Sequence, residues 1–258
     1  MEDITENECC GSGCTNCVLD RYIKTPKNKI EGCDNIFNGN YTKFKVIHIE
    51  QRTENVFEFK FEWNCDMKFE KPCILDVAGG SHLMLRASHS SSSRKFNSIF
   101  NNYRNSIVNT PKNMEYQRKF IEKHDTTEDD LYFSRPYTPI LISNEPPQFT
   151  VLIKLEPFGL MSNYLQTLQI GDLTEWKGVF NKIPSNIKKA FYNIICICHG
   201  VSIAPFYTLS KELIIDDKFE TNITLYACFK DIDSILLRNH MWRGVGESMV
   251  KDVVVQKN

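Results

Sequence analysis

The chain has 258 residues, a formal net charge of −1, and 41% hydrophobic and 24% charged residues, enough to bury a core in one or two domains. A near-zero charge argues against a nucleic-acid partner, and no run approaches the uninterrupted apolar length of a membrane span. Residues 1–8 are acidic and polar rather than a signal or transit peptide, so a cytoplasmic protein is the expectation.

Residues 1–40 contain Cys9-Cys10-Gly11-Ser12-Gly13-Cys14-Thr15-Asn16-Cys17, with Cys33 further on, in a segment too short for a core of its own. Cys14 and Cys17 have the two-residue gap that lets both sulfurs face one ion, and Cys9 or Cys10 would complete a zinc or iron–sulfur set. A flexible tail with free thiols fits the same residues, because no second Cys-x-x-C pair is present. Cys65, Cys73, Cys196, Cys198 and Cys228 are scattered among apolar residues and read as small buried hydrophobes.

From Tyr41 the pattern changes to short strands at 44–49 and 56–61, split by the polar turn 51–55, an antiparallel meander. A third strand, 82–86, follows Gly79-Gly80, and His82 reads as a structural residue at its start. Residues 87–130 are rich in Ser, Asn and Lys and read as a long surface insertion, with a helical turn or two at 116–124.

Arg135-Pro136-Tyr137-Thr138-Pro139-Ile140 then offers several grips on a phosphate-bearing aromatic ligand. Arg135 can fork onto a phosphate oxygen, Tyr137 can lie beside a flat heterocycle, and Thr138 can hydrogen-bond its edge. Pro136 stiffens the frame. A rigid turn between two strands fits the same residues. The next strand is 149–155. Downstream, Gly159 lets the backbone approach a pyrophosphate, and the amides of Leu160, Met161 and Ser162 open a helix whose positive end favours an anion. That helix is expected over 162–168, with Ser162 at its start, before a strand at 174–178.

The signature at 135–140 resembles that of the ferredoxin-NADP reductase superfamily in its NADH-cytochrome b5 reductase form, and 159–165 falls where that family carries its pyrophosphate loop. The segment 9–22 resembles an oxidoreductase-like motif that precedes the reductase domain in a cytochrome-b5-reductase-like subfamily. The resemblance implies an antiparallel six-stranded FAD-binding barrel at 41–185, interrupted by the insertion 87–130. It also implies flavin contacts from Leu152 and from Lys154 on the phosphate side. Glu156 departs from the family, which carries a tyrosine there.

A second unit is expected at 190–258, with a buried strand 194–198, a turn through Gly200, Val201 and Ser202, and a helix opened by Ala204 and Pro205. A strand at 224–228 and a helix at 231–238 follow. The family turn is Gly-Thr-Gly, so Val201 and Ser202 weaken the nucleotide-site reading. Residues 244–250 resemble a motif that lies well beyond the second helix in the family, which implies an incomplete parallel-sheet nucleotide-binding domain. The implied activity is transfer of electrons from NADH through FAD to a one-electron acceptor such as a cytochrome b5-like haem protein, with no side chain singled out as catalytic. The alternative is a catalytically impaired flavin-binding protein, or an interaction protein built on a Cys-rich metal site.

Overall fold

A computed structural model of the chain describes residues 32–65, 71–88, 95–108, 132–180, 193–215, 222–237 and 252–255. Strands β1 (Asp34–Asn35), β2 (Thr42–Gln51), β3 (Val56–Trp63), β4 (Cys73–Ile74) and β5 (His82–Ser88) precede helix α1 (Asn101–Val108). Strands β6 (Tyr132–Tyr137), β7 (Pro139–Asn144) and β8 (Pro147–Lys154), helix α2 (Leu160–Thr167) and strand β9 (Leu173–Phe180) follow. Strand β10 (Asn193–His199), helix α3 (Ile203–Ile215) and strands β11 (Asn222–Phe229) and β12 (Asp252–Val255) form the second unit.

Seven strands make one antiparallel sheet in the order β6-β5-β9-β2-β3-β8-β7. Its end strands, β6 and β7, are consecutive in the chain and separated by Thr138 alone, so the two edges of the ladder are joined. Six strands are expected from the sequence; the seventh arises because the strand through the Arg135 signature is broken at Thr138. Pro139 donates no backbone hydrogen bond and keeps the preceding residue extended, which interrupts the ladder there. The first half of the signature therefore pairs with β5 and the second half with β8.

Phe44, Val46, Phe57, Phe59 and Phe61 point into the barrel with Phe149 and Trp176. The apolar residues at 44–49 do not alternate strictly, because a register shift between Val46 and His48 adds a bulge before Ile49 returns inward. Ring centroids of Phe61 and Phe149 lie 4.9 and 5.0 Å from that of Trp176. Trp176 Nε1 donates to Thr174 Oγ1 at 2.9 Å, and that hydroxyl donates to the Phe44 carbonyl at 2.9 Å, so the fully buried indole keeps its partner. Phe37 also belongs to this core, so barrel packing begins before residue 41.

The stretch 87–130 is not simply a surface insertion. Within it, a 3-10 turn at Ser98–Phe100 runs into α1 and buries Phe100 and Tyr103 completely. Phe100 packs 4.7 Å from Phe57 and 6.2 Å from Phe59, centroid to centroid. Burial of these two aromatic rings makes the segment part of the barrel's core. The turn expected at 116–124 lies outside the described residues.

Among the described residues, the second unit has a three-stranded parallel sheet in the order β10-β11-β12. Its first strand is not buried throughout: Cys196 and Cys198 face inward, whereas Ile195 and Ile197 are 66% and 70% exposed. Among the described residues, only the face of β10 that carries Cys196 and Cys198 is packed, in a cluster shared with the barrel. The helix expected at 231–238 is instead a single 3-10 turn at Ile232–Ser234. Asp231 caps that turn by accepting from Ser234 N at 2.8 Å, and Leu237 takes a φ of 59°, which ends any helix. Cys65, Cys73 and Cys228 are half-buried rather than buried.

Barrel and second unit share one apolar seam, in which Val56, Ile140 and Leu152 meet Cys196, Ile203, Tyr207 and Leu213. Helix α3 packs on β7. Its polar side is stitched to the turn before β5: Gly79 N donates to the Glu212 carboxylate, and Gly80 N donates to Thr208 Oγ1 at 3.0 Å.

Candidate functional site

The strand containing Arg135 and the loop opening at Gly159 are brought together, since α2 packs beside β6. Arg135 is exposed, and its Nη1 donates to the Ser134 carbonyl at 2.8 Å. Pro136 sits opposite Met84 in the ladder. Tyr137 is half-buried with its ring edge-on to Trp176 at 6.0 Å and 65°. Burial pushes its hydroxyl well above the usual tyrosine range, with Arg135 pulling the other way, so the phenol stays protonated. Thr138 is half-buried at the break between β6 and β7.

Gly159 is the residue before α2 and makes no side-chain cap, which leaves the amides of Leu160, Met161 and Ser162 in the uncapped first turn. Its φ of −68° is one that any residue adopts, so glycine is not required there for conformation. The left-handed residue is the preceding one, Phe158, at a φ of 66°. A bulky side chain in that region costs about 1–3 kcal/mol, a strain the surrounding loop must hold. The helix begins at Leu160 rather than at Ser162 because the Ser162 hydroxyl turns back to accept from Glu156 N at 2.9 Å. Met161 is buried in the barrel core.

Lys154 is exposed at the end of β8 and pairs with Glu156 at 2.7 Å. Leu152 lies in the seam beneath the second unit. The turn through Gly200 and Val201 packs against β8. Gly200 has a φ of 56°, the one position in that turn where glycine is needed. Ser202 Oγ accepts from His199 N and donates to the His199 carbonyl, both at 2.8 Å, so its hydroxyl is spent inside the turn. Ala204 is buried and Pro205 half-buried in the first turn of α3.

Asn97, Tyr103 and Arg104 also touch the Gly159 loop and helix, and the sequence reading misses them. The available signal was Asn97, which has the side chain of an N-cap and accepts from Ile99 N at 3.2 Å. Cys9, Cys10, Cys14 and Cys17 lie outside the described residues. Among the described residues, His48, Glu50 and Glu58 place ligand atoms within 4.8 Å of one another. Arg52 already bridges those carboxylates, at 2.9 Å from Glu50 and 2.8 Å from Glu58. No helix among the described residues is long and apolar enough to cross a membrane.

Residues 119–183 match the family model described as an oxidoreductase FAD-binding domain, and residues 5–28 match the one described as an oxidoreductase-like protein, N-terminal. The chain is similar to the NADH-cytochrome b5 reductase-like proteins. The one from Homo sapiens is 24% identical over 254 residues, covering 91% of this chain and 65% of the relative. NADH-cytochrome b5 reductase 2 of Neosartorya fischeri is 30% identical over 107 residues, covering 42% of this chain and 33% of the relative. This chain thus spans about two thirds of its human relative's length. Among solved structures, the cytochrome b5 reductase domain of Ulva prolifera nitrate reductase superposes with a TM-score of 0.57 at 17% identity, covering 86% of this chain and 76% of that one. Flavohemoglobin from Malassezia yamatoensis, with bound FAD and heme, gives 0.56 at 18% identity, over 85% of this chain and 45% of that one. These likenesses show the fold, an antiparallel sheet followed by an α/β unit.

Proposed function

We propose that the chain is an FAD-dependent oxidoreductase of the cytochrome b5 reductase type, working in the cytoplasm. It takes electrons from NADH and passes them to a one-electron acceptor such as a cytochrome b5-like haem protein. The observation that carries this reading is the packing of α2 beside β6, which puts an uncapped helix start next to Arg135 and Tyr137. Those donors suit a pyrophosphate attached to a flat ring: Arg135 and the amides of Leu160, Met161 and Ser162 bind the anion, while Tyr137 and Thr138 orient the heterocycle. When bound, FAD supplies the exchange between a two-electron hydride and single electrons. The protein's own part is binding, orientation and exclusion of water from the face of Tyr137.

A purified chain should therefore carry non-covalent FAD, and Arg135→Ala should weaken its retention about tenfold to a hundredfold. Unchanged retention in that variant would count against the assignment. The closed Ser202 turn supports a second reading, in which flavin is held but NADH binds weakly. Stopped-flow mixing with NADH separates the two, since rapid saturable bleaching of the flavin belongs only to the reductase. Zinc or an iron–sulfur cluster at Cys9, Cys10, Cys14 and Cys17 is part of the same proposal, and elemental analysis with and without residues 1–20 tests it.

A further inference from the structure

We propose that residues 97–104 are a strap that positions the first turn of α2 for the flavin pyrophosphate, with Asn97 and Arg104 as positioning residues. This rests on the flavin reading above. The loop and helix that run from Leu155 to Leu168 are held at both ends by this one segment. At the start, Tyr103 Oη donates to the Leu155 carbonyl at 3.0 Å. At the far end, Asn97 N donates to the Gln166 carbonyl and Asn97 Nδ2 to the Leu168 carbonyl, each at 2.8 Å. The carbonyls of a helix's last turn have no intrahelical partners, so Asn97 serves as a cap supplied from a distant stretch of chain.

Between these anchors runs a relay toward the pyrophosphate end. Arg104 Nη1 donates to Gln166 Oε1 at 3.1 Å, and Gln166 Nε2 donates to the Ser162 carbonyl at 2.9 Å. Ser162 Oγ in turn accepts from Glu156 N at 2.9 Å, fixing the loop before Gly159. The Arg104 guanidinium, held 3.5 Å over the Phe96 ring, also puts positive charge near the negative end of α2. Phe100 and Tyr103 anchor the strap in the barrel core, so its polar side chains act from a rigid base.

The test uses the full chain with Asn97→Ala and Arg104→Met combined, and Gln166→Met as a second variant that cuts the relay while leaving the Asn97 cap. Dissociation constants are measured for FAD and for riboflavin, which lacks the phosphates, alongside the melting temperature of the flavin-free protein. Expected is FAD affinity about tenfold weaker with riboflavin affinity within about twofold of the parent, and partial recovery of FAD affinity when Arg104→Lys takes the place of Arg104→Met beside Asn97→Ala. FAD affinity unchanged in both variants, or equal losses for FAD and riboflavin, overturns the strap while leaving the flavin reading intact. A parent chain that binds neither flavin overturns both.

Discussion

Lys154 and Glu156 pair at 2.7 Å where the chain leaves β8 toward the Gly159 loop. Under the proposed flavin reading, the lysine expected on the phosphate side is partnered by a carboxylate, whose charge would oppose an incoming anion. Both side chains are well exposed, so the pair is weak and salt-sensitive. Glu156→Gln is expected to tighten FAD binding by about twofold to fivefold at low ionic strength, with the gain fading as salt is added. Flavin titrations at two salt concentrations check this, and a loss of affinity would mean that Glu156 contacts the ligand productively.

What the sequence made legible was whatever depends on local chemistry. The signature from Arg135 to Thr138 and the Gly159 loop fell on adjoining elements, and the strands around Phe44, Phe57 and Phe149 appeared where apolar spacing placed them. What stayed hidden depends on distant partners. Nothing local announces that Asn97 will cap a helix ending at Thr167, or that Leu152 will lie in the apolar seam with the second unit. The exposure of Ile195 and Ile197 was missed for a related reason. An apolar run looks alike whether one face or both are covered, and only the tertiary packing reveals that, among the described residues, the face with Ile195 and Ile197 is left open.

Phe100 separates a tolerated insertion from an integral one. Its ring is fully buried against Phe57 and Phe59. Phe100→Ala should leave a cavity and cost about 3–5 kcal/mol of stability. Urea unfolding measures the change, and a loss below about 1 kcal/mol would return the segment to the status of a surface loop.

Gly79 controls the closeness of barrel and second unit. A Cβ placed there would stand 2.5 Å from the Thr208 carbonyl oxygen and 2.9 Å from Glu212 Oε2. The Glu212 carboxylate can swing away, but the backbone carbonyl in the middle of α3 cannot. Gly79→Ala is therefore expected to push α3 off the turn and to destabilise by about 1–3 kcal/mol. Hydrogen exchange locates the damage: protection should fall along α3 and β7 while the barrel core around Trp176 keeps its own.

Cys198 supplies a pH dependence that is independent of any ligand. Its thiol is buried in the seam, and burial first, then the neighbouring Cys196 and Cys228, pushes its pKa from 9.0 up to about 11. A raised thiol pKa means that the native state binds this proton more tightly than the unfolded chain does. The resulting stabilisation is complete below pH 9.0 and is lost as pH rises toward about 11, the native value. Cys196 and Tyr207, whose pKa values are also raised by burial, add alkaline dependences of their own. The informative quantity is therefore the difference between parent and Cys198→Ala. That variant should be less stable at neutral pH by a fixed packing cost, and the gap should narrow steadily between pH 9.0 and about 11 as the parent alone loses the Cys198 contribution. Urea midpoints across that range make the measurement. A gap that stays constant would show that the thiol titrates alike in both states, and so that Cys198 is not shielded from water by the seam.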